Sequence, residues 1–266
     1  PVRGRSCSSR AMPSLKKKFP TFHDWGAALL PEIYPEEKLA TAQKVTATEL
    51  ASGVFLNDGK GHFTLRALPR LAQTAPIFGL VAGDFNGDGN VDLVAAQNFY
   101  GPQVETGRYD GGLSLLLLGD GQGGFRPAAP SESGIAVSGE GRGLTTADLN
   151  NDGWPDLAMT RTNEPVLVLV NRGVPGVRSF SVALSGPAGN ADAIGSQITL
   201  RFADGRTRTA ELFAGSGYLS QSQPVAFFTY REGAAPTAID VRWPDGTKSH
   251  HPFKAGSTRL ILQKGP

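Results

Sequence analysis

Two short stretches concentrate the side chains able to do chemistry. Asp84-Phe85-Asn86-Gly87-Asp88-Gly89-Asn90-Val91-Asp92 and Asp148-Leu149-Asn150-Asn151-Asp152-Gly153-Trp154-Pro155-Asp156 share the pattern Asp-x-Asn-x-Asp-Gly-x-x-Asp. Such spacing suits Ca²⁺, which takes six to eight hard oxygens at about 2.3–2.6 Å. Side chains at positions one, three and five turn inward when the backbone coils tightly, and the glycine at position six makes the sharp turn. The first loop offers the side chains of Asp84, Asn86, Asp88 and Asp92 with the Asn90 carbonyl. The second offers Asp148, Asn150, Asp152 and Asp156 with the Trp154 carbonyl. Carboxylates set this close repel one another without a cation, which favours the metal over a plain hairpin turn.

An EF-hand opens in the same way, but it needs a bidentate Glu at position twelve and flanking helices. Ala95 and Met159 stand at that position, and the flanks are β-type, so the closing ligands are read as Asp92 and Asp156.

Other sites lack what their chemistry requires. Gly119-Asp120-Gly121-Gln122-Gly123-Gly124 matches a dinucleotide fingerprint, but Phe125-Arg126-Pro127-Ala128-Ala129-Pro130 cannot supply the following helix. Ser216 sits in no Gly-x-Ser-x-Gly elbow. Adjacent His250 and His251 point to opposite faces of a strand and cannot easily share one ion. No general acid/base pair is left outside the metal loops, and the chain reads as non-enzymatic.

The elements that position the loops follow from punctuation. Gly (34) and Pro (19) make up about a fifth of the 266 residues, against an ordinary share of roughly 12%, and they fall between short apolar runs. This is the texture of many strands joined by tight turns: Gly79–Ala82, Val91–Ala95, Leu113–Leu118, Leu157–Thr160 and Val166–Val170, then Ser196–Phe202, Thr207–Phe213, Val225–Tyr230, Ala238–Trp243 and Thr258–Gln263. Besides the acidic loop, a second marker, Leu56-Asn57-Asp58-Gly59-Lys60-Gly61-His62-Phe63, recurs as Leu118-Gly119-Asp120-Gly121-Gln122-Gly123-Gly124-Phe125. Both repeat at about 60 residues, the size of a four-stranded propeller blade. Before the strands, Leu15, Phe19, Phe22, Trp25, Leu29 and Ile33 recur at helical steps. Thr21 reads as a cap and Pro35-Glu36-Glu37 as a fresh helix start.

The fold expectation is therefore mainly β: a partial propeller of about two to three blades, a short helical N-terminal segment and a small all-β C-terminal domain. The divisions fall at 1–44 (basic tail and helical insertion), 45–178 (blades) and 179–266. The first 18 residues carry Arg3, Arg5, Arg10, Lys16, Lys17 and Lys18 without an acid and read as a solvated terminal segment. Lys+Arg (26) nearly balances Asp+Glu (24), so charge points to no nucleic acid. Cys7 alone builds no disulfide, and no apolar run reaches the ~18 residues of a membrane span.

These loops and the Asn-Asp-Gly-x-Gly-x-Phe turns resemble the FG-GAP/VCBS repeats of integrin-α-type propellers. Ala214-Gly215-Ser216-Gly217-Tyr218-Leu219-Ser220-Gln221-Ser222 and Val241-Arg242-Trp243-Pro244-Asp245-Gly246 are similar to the ASPIC/UnbV module that follows such propellers. One departure is Phe227-Phe228-Thr229-Tyr230, where that module carries Phe-Gly-Leu-Gly. The resemblance implies a secreted, periplasmic or cell-surface protein, and this chain is expected to be a piece of a longer propeller. It implies a calcium-stabilised binding module that presents loops around Tyr218 and Trp243 to a protein or carbohydrate. The alternative is the non-catalytic part of a larger enzyme acting on polysaccharide. Ser216, Tyr218, Ser220 and Ser222 are expected on one face of a strand, as a packed structural seam rather than a catalytic one.

Overall fold

Each acidic segment folds as the connection of a β-hairpin, because Asp, Asn and Gly supply the turns that the flanking apolar runs cannot. The computed structural model describes residues 4–102 and 106–264. Among the described residues, five groups of strands account for the β structure, and none closes into a barrel.

Strands β1 (Gly53–Asn57) and β2 (Phe63–Ala67) form a two-stranded hairpin. Strands β3 (Ile77–Gly83), β4 (Asp92–Gln97), β5 (Leu115–Gly119) and β6 (Phe125–Pro127) make an antiparallel meander, one whole blade. Strands β7 (Gly141–Ala147), β8 (Asp156–Arg161) and β9 (Glu164–Leu169) make a second, three-stranded one. The first acidic loop joins β3 to β4 and the second joins β7 to β8. The other marker is the β1–β2 and β5–β6 turn, so β1–β2 corresponds to β5–β6. Asp120 Oδ1 accepts from the N–H groups of Gln122 and Gly124 in that turn, which settles the glycine-rich stretch as a hairpin. The blades share a core of Val81, Phe85, Val94, Ala96, Leu144, Leu157 and Met159. Burial of both faces explains why β4 reads as an unbroken buried run instead of an alternating one.

The C-terminal part begins with β10 (Val177–Ser185), a strand that the sequence reading passed over. It pairs antiparallel with β13 (Val225–Arg231) and parallel with β16 (Arg259–Gln263). A second sheet runs in the order β12 (Thr207–Glu211), β11 (Gln197–Arg201), β14 (Ala238–Arg242), β15 (Lys248–Pro252). Phe180, Val182, Ile198, Leu200, Phe228, Ile239, Val241 and Trp243 fill the core of this part. Residues 51–100 and 108–264 pack as one unit, so blades and C-terminal module are a single body.

Residues 4–50 belong to another unit, described by itself. Its helices are α1 (Arg5–Ala11), α2 (Ser14–Lys18), α3 (Phe22–Ala27), α4 (Leu30–Ile33) and α5 (Glu36–Ala40). Thr21 caps α3 in a full capping box with Asp24. Leu15, Phe19, Trp25 and Ile33 form its small core, whereas Phe22 and Leu29 are exposed, because prolines divide the run before one periodic face can form. The basic start is more than a solvated tail: α1 is a helix, and Arg5 donates to the carbonyls of Phe19 and Pro20. Among the described residues, no helix is long and apolar enough to cross a membrane.

Candidate metal centre

The two acidic loops are built by the same local rules. The position-three Asn86 and Asn150 each accept from the N–H two residues on, in Asp88 and Asp152, and donate their amide to that residue's carboxylate. Asp88 and Asp152 in turn accept from the N–H groups of Asn90 and Trp154. The opening aspartates, Asp84 and Asp148, each reach the N–H of the position-six glycine. These short loops hold their coil by side-chain turns, the role Asp and Asn play best. Gly153 is required twice over. Its φ is +86°, and a Cβ there would stand 2.7 Å from the Ser179 carbonyl oxygen.

The closing aspartates do something the sequence reading did not foresee. Asp92 and Asp156 are fully buried, and both carboxylate oxygens of each accept backbone N–H groups. Asp92 takes those of Phe85 and Gly119, and Asp156 those of Leu149 and Asn171. Each pins the start of its loop to the end of the third strand of its blade. Among the described residues, no three or more His, Cys, Asp or Glu side chains are grouped so as to hold a metal ion.

The loops differ at their opening residue. Asp148 is 8% exposed, and its Oδ1 is buried without a hydrogen-bond partner. Burial first, and then the charges of Asp152 and Asp156, push its carboxyl above the usual range. A buried carboxylate oxygen without a partner, within electrostatic reach of Asp152 and Asp156, fits a hard cation. Asp84 has no such vacancy: Oδ1 accepts from Gly87 N–H, and Oδ2 accepts from Gly89 N–H and the Thr229 hydroxyl. Burial raises the Asp84 carboxyl as well, and it pushes that of Asp92 up to about 6. At position seven, Asn90 is half-buried and Trp154 is buried.

Both loops face the C-terminal module. Ser179 donates to the Gly153 carbonyl at 2.6 Å. The Ser-Gln-Ser motif lies along β7: Ser220 donates to Leu144 O, Gln221 O accepts from the Thr145 hydroxyl, and Ser222 Oγ accepts from Thr146 N–H. These bonds tie the motif to β7, but the expected strand is absent, since Gly217–Ser220 is a tight turn with Leu219 at a φ of +50°. Tyr218 is partly exposed and its ring rests 5.2 Å from that of Phe78. Trp243 cannot present its ring to a partner: it is 1% exposed, in the module's core, with Nε1 donating to Ser249. His250 and His251 face different neighbours, Asp240 and Ser249. Arg208, Thr229 and Gln223 were missed because each acts on a residue distant in sequence.

Residues 45–95 and 106–159 match the FG-GAP-like repeat family, and residues 186–265 match the ASPIC and UnbV family. Cartilage acidic protein 1 of Homo sapiens is 24% identical over 209 residues, covering 77% of this chain and 30% of that protein. The Xenopus tropicalis protein of the same name is 25% identical over 212 residues, covering 77% and 31%. That of Mus musculus is 26% identical over 192 residues, covering 71% and 28%. The chain thus spans about 30% of the length of these curated relatives. Neither the families nor the relatives matched are recognised enzymes. The chain thus carries FG-GAP-like repeats followed by an ASPIC and UnbV domain.

Proposed function

We propose that the chain is a non-catalytic recognition module acting outside the cytoplasm, with its blade-to-module seam stiffened by Ca²⁺. The observation that carries the cation is the partnerless, buried Oδ1 of Asp148. Asp148, Asn150 and Asp152 would hold the ion, and all three offer the hard oxygens that Ca²⁺ prefers. The ion supplies positive charge where burial and mutual repulsion now raise the Asp148 carboxyl. An affinity in the extracellular range, on the order of 10⁻⁴–10⁻³ M, matches a loop without a bidentate closing Glu. A setting outside the cytoplasm is supported by the repeat family and by the cartilage named in the relatives.

Recognition is the remaining role because the acidic side chains are engaged in building their own loops. Exposed Phe213 and Leu219, on the loop after β12, are surfaces for a protein or carbohydrate partner. Thermal unfolding in EDTA, Mg²⁺ and Ca²⁺ tests the cation. Calcium at ~100 times Kd should add about 2.7 kcal/mol for one site present only in the folded state. Equal unfolding temperatures in all three would refute it. Binding of the chain to immobilised glycans and to matrix proteins, with and without Ca²⁺, tests the recognition.

A further inference from the structure

We infer that the two loops are not equivalent: Arg208 of the C-terminal module serves as a tethered cation for the first loop, leaving the second as the metal site. This rests on the calcium reading above and narrows it to one ion per chain. The Arg208 Nη1 lies 3.7 Å from Asp84 Oδ2. The same nitrogen donates to the Thr229 carbonyl at 2.9 Å and contacts the Thr229 hydroxyl at 3.2 Å, and that hydroxyl donates to Asp84 Oδ2. Arg208 and Thr229 come from β12 and β13, edge strands of two different sheets, so the module delivers a charge and a donor together to one carboxylate.

Space tells the same story. A Cβ on Gly89, the position-six glycine, would stand 1.9 Å from Arg208 Nη2. The guanidinium therefore lies directly against the turn of the loop. Arg208 is always charged and presents a planar fork of donors, so it neutralises Asp84 without the water shell that a free ion must shed. Among the described residues, no Lys, Arg or His side chain pairs with Asp148, the equivalent residue of the second loop. There the module offers the neutral Gln223 and Ser179, which bind the backbone of Asp148 and Gly153, and Asp148 Oδ1 is left open.

Titration calorimetry with CaCl₂ on the whole chain reads the number of sites. Wild type should bind one ion and Asp152→Ala none. Arg208→Met combined with Thr229→Val, which removes both the charge and the hydroxyl donor from Asp84 Oδ2, should gain a second site that is lost again on adding Asp88→Ala. Arg208→Lys, which keeps the charge, should remain at one. Two sites in wild type would overturn the assignment of Arg208 while leaving calcium binding intact. A double-mutant cycle in EDTA makes the inference independent of any metal. Asp84→Asn and Arg208→Met should lower the unfolding temperature by less together than the sum of their separate effects. Strict additivity would overturn the contact even if no variant bound calcium, and the absence of heat in every variant would sink the calcium reading alone.

Discussion

Gln223 Oε1 accepts the backbone N–H of Asp148 at 2.9 Å, so the residue that opens the second loop is held through its backbone by the C-terminal module and through its side chain by its own loop. The Gln223 backbone N–H also donates to Thr146 O, which makes the contact a short two-point splice onto the end of β7. Module and blade are thereby joined at the spot where the candidate ion would sit. Order in one is expected to be felt in the other.

Removing that splice should loosen the seam without dismantling either core. Gln223→Ala leaves the Asp148 N–H without its partner, a loss of about 1–3 kcal/mol for a buried donor. Chemical denaturation should show that loss. Hydrogen exchange should show faster labelling at residues 144–149 and 220–223, with β11 and β14 unchanged. Uniformly faster exchange across the module would contradict a local role.

Trp154 occupies position seven of the second loop, whereas the first has Asn90 there. A terbium ion standing in for Ca²⁺ should therefore be sensitised by indole excitation when bound in the second loop. Trp154→Phe should remove most of that emission while calcium competition is retained. Emission unaffected by Trp154→Phe would place the ion elsewhere.

The loops were legible in the sequence because their chemistry is local. Asp, Asn and Gly at fixed offsets dictate a coil that closes on its own N–H groups, and the hairpin flanks follow from short apolar runs. What lay beyond reach was long-range. Asp84 and Thr229 are 145 residues apart, and no spacing rule links them. Strand β10 was overlooked because Ser179 and Ser181 interrupt its apolar residues like a solvent face, yet both serines are buried. Ser179 is bonded to the second loop. Trp243 was legible and misassigned: it shares the inward parity of Ile239 and Val241, and alternation alone places it in the core.

Trp243 is accordingly expected to matter for stability and not for partner binding. Trp243→Ala should destabilise the chain by about 3–5 kcal/mol. Trp243→Phe, which loses the hydrogen bond to Ser249, should cost less. Any partner that binds the folded Trp243→Phe protein should do so with unchanged affinity, and a large loss of affinity there would restore the contact role.

Acidity should act in opposite directions with and without calcium. Burial pushes the Asp92 carboxyl from 3.8 up to about 6, and burial raises Asp84 and Asp148 too. An acid whose pKa rises on folding holds its proton more tightly in the folded chain. In EDTA, these groups therefore cost stability increasingly as pH climbs from near 3.8 through about 6, and the cost levels off above. Asp240 runs the other way, held down first by its bond to His250, so its contribution is lost as pH falls below the ordinary carboxylate range. Calcium-free protein should unfold at its highest temperature in mild acid, and saturating Ca²⁺ should move that optimum toward neutrality. Identical pH profiles with and without the ion would separate the raised carboxyls from any metal.

Within the second loop, Asp152 and Asp156 should separate by mutation into ligand and staple. Asp152 is partly exposed, and Asp152→Ala removes carboxylate charge from beside Asp148. In EDTA the relieved repulsion offsets the loss of a partner for Trp154 N–H, so the net change should be within about 1 kcal/mol, while calcium binding is abolished. Asp156 is fully buried with its oxygens on the N–H groups of Leu149 and Asn171. Asp156→Ala strands both donors, each worth about 1–3 kcal/mol, and should destabilise the chain equally in EDTA and in Ca²⁺. Asp156→Asn is the sharper probe. Its amide keeps one acceptor and turns a donor toward the other N–H, so about half the loss should remain. Should Asp156→Asn instead be harmless in EDTA and deleterious only in Ca²⁺, the closing aspartate would be a ligand after all.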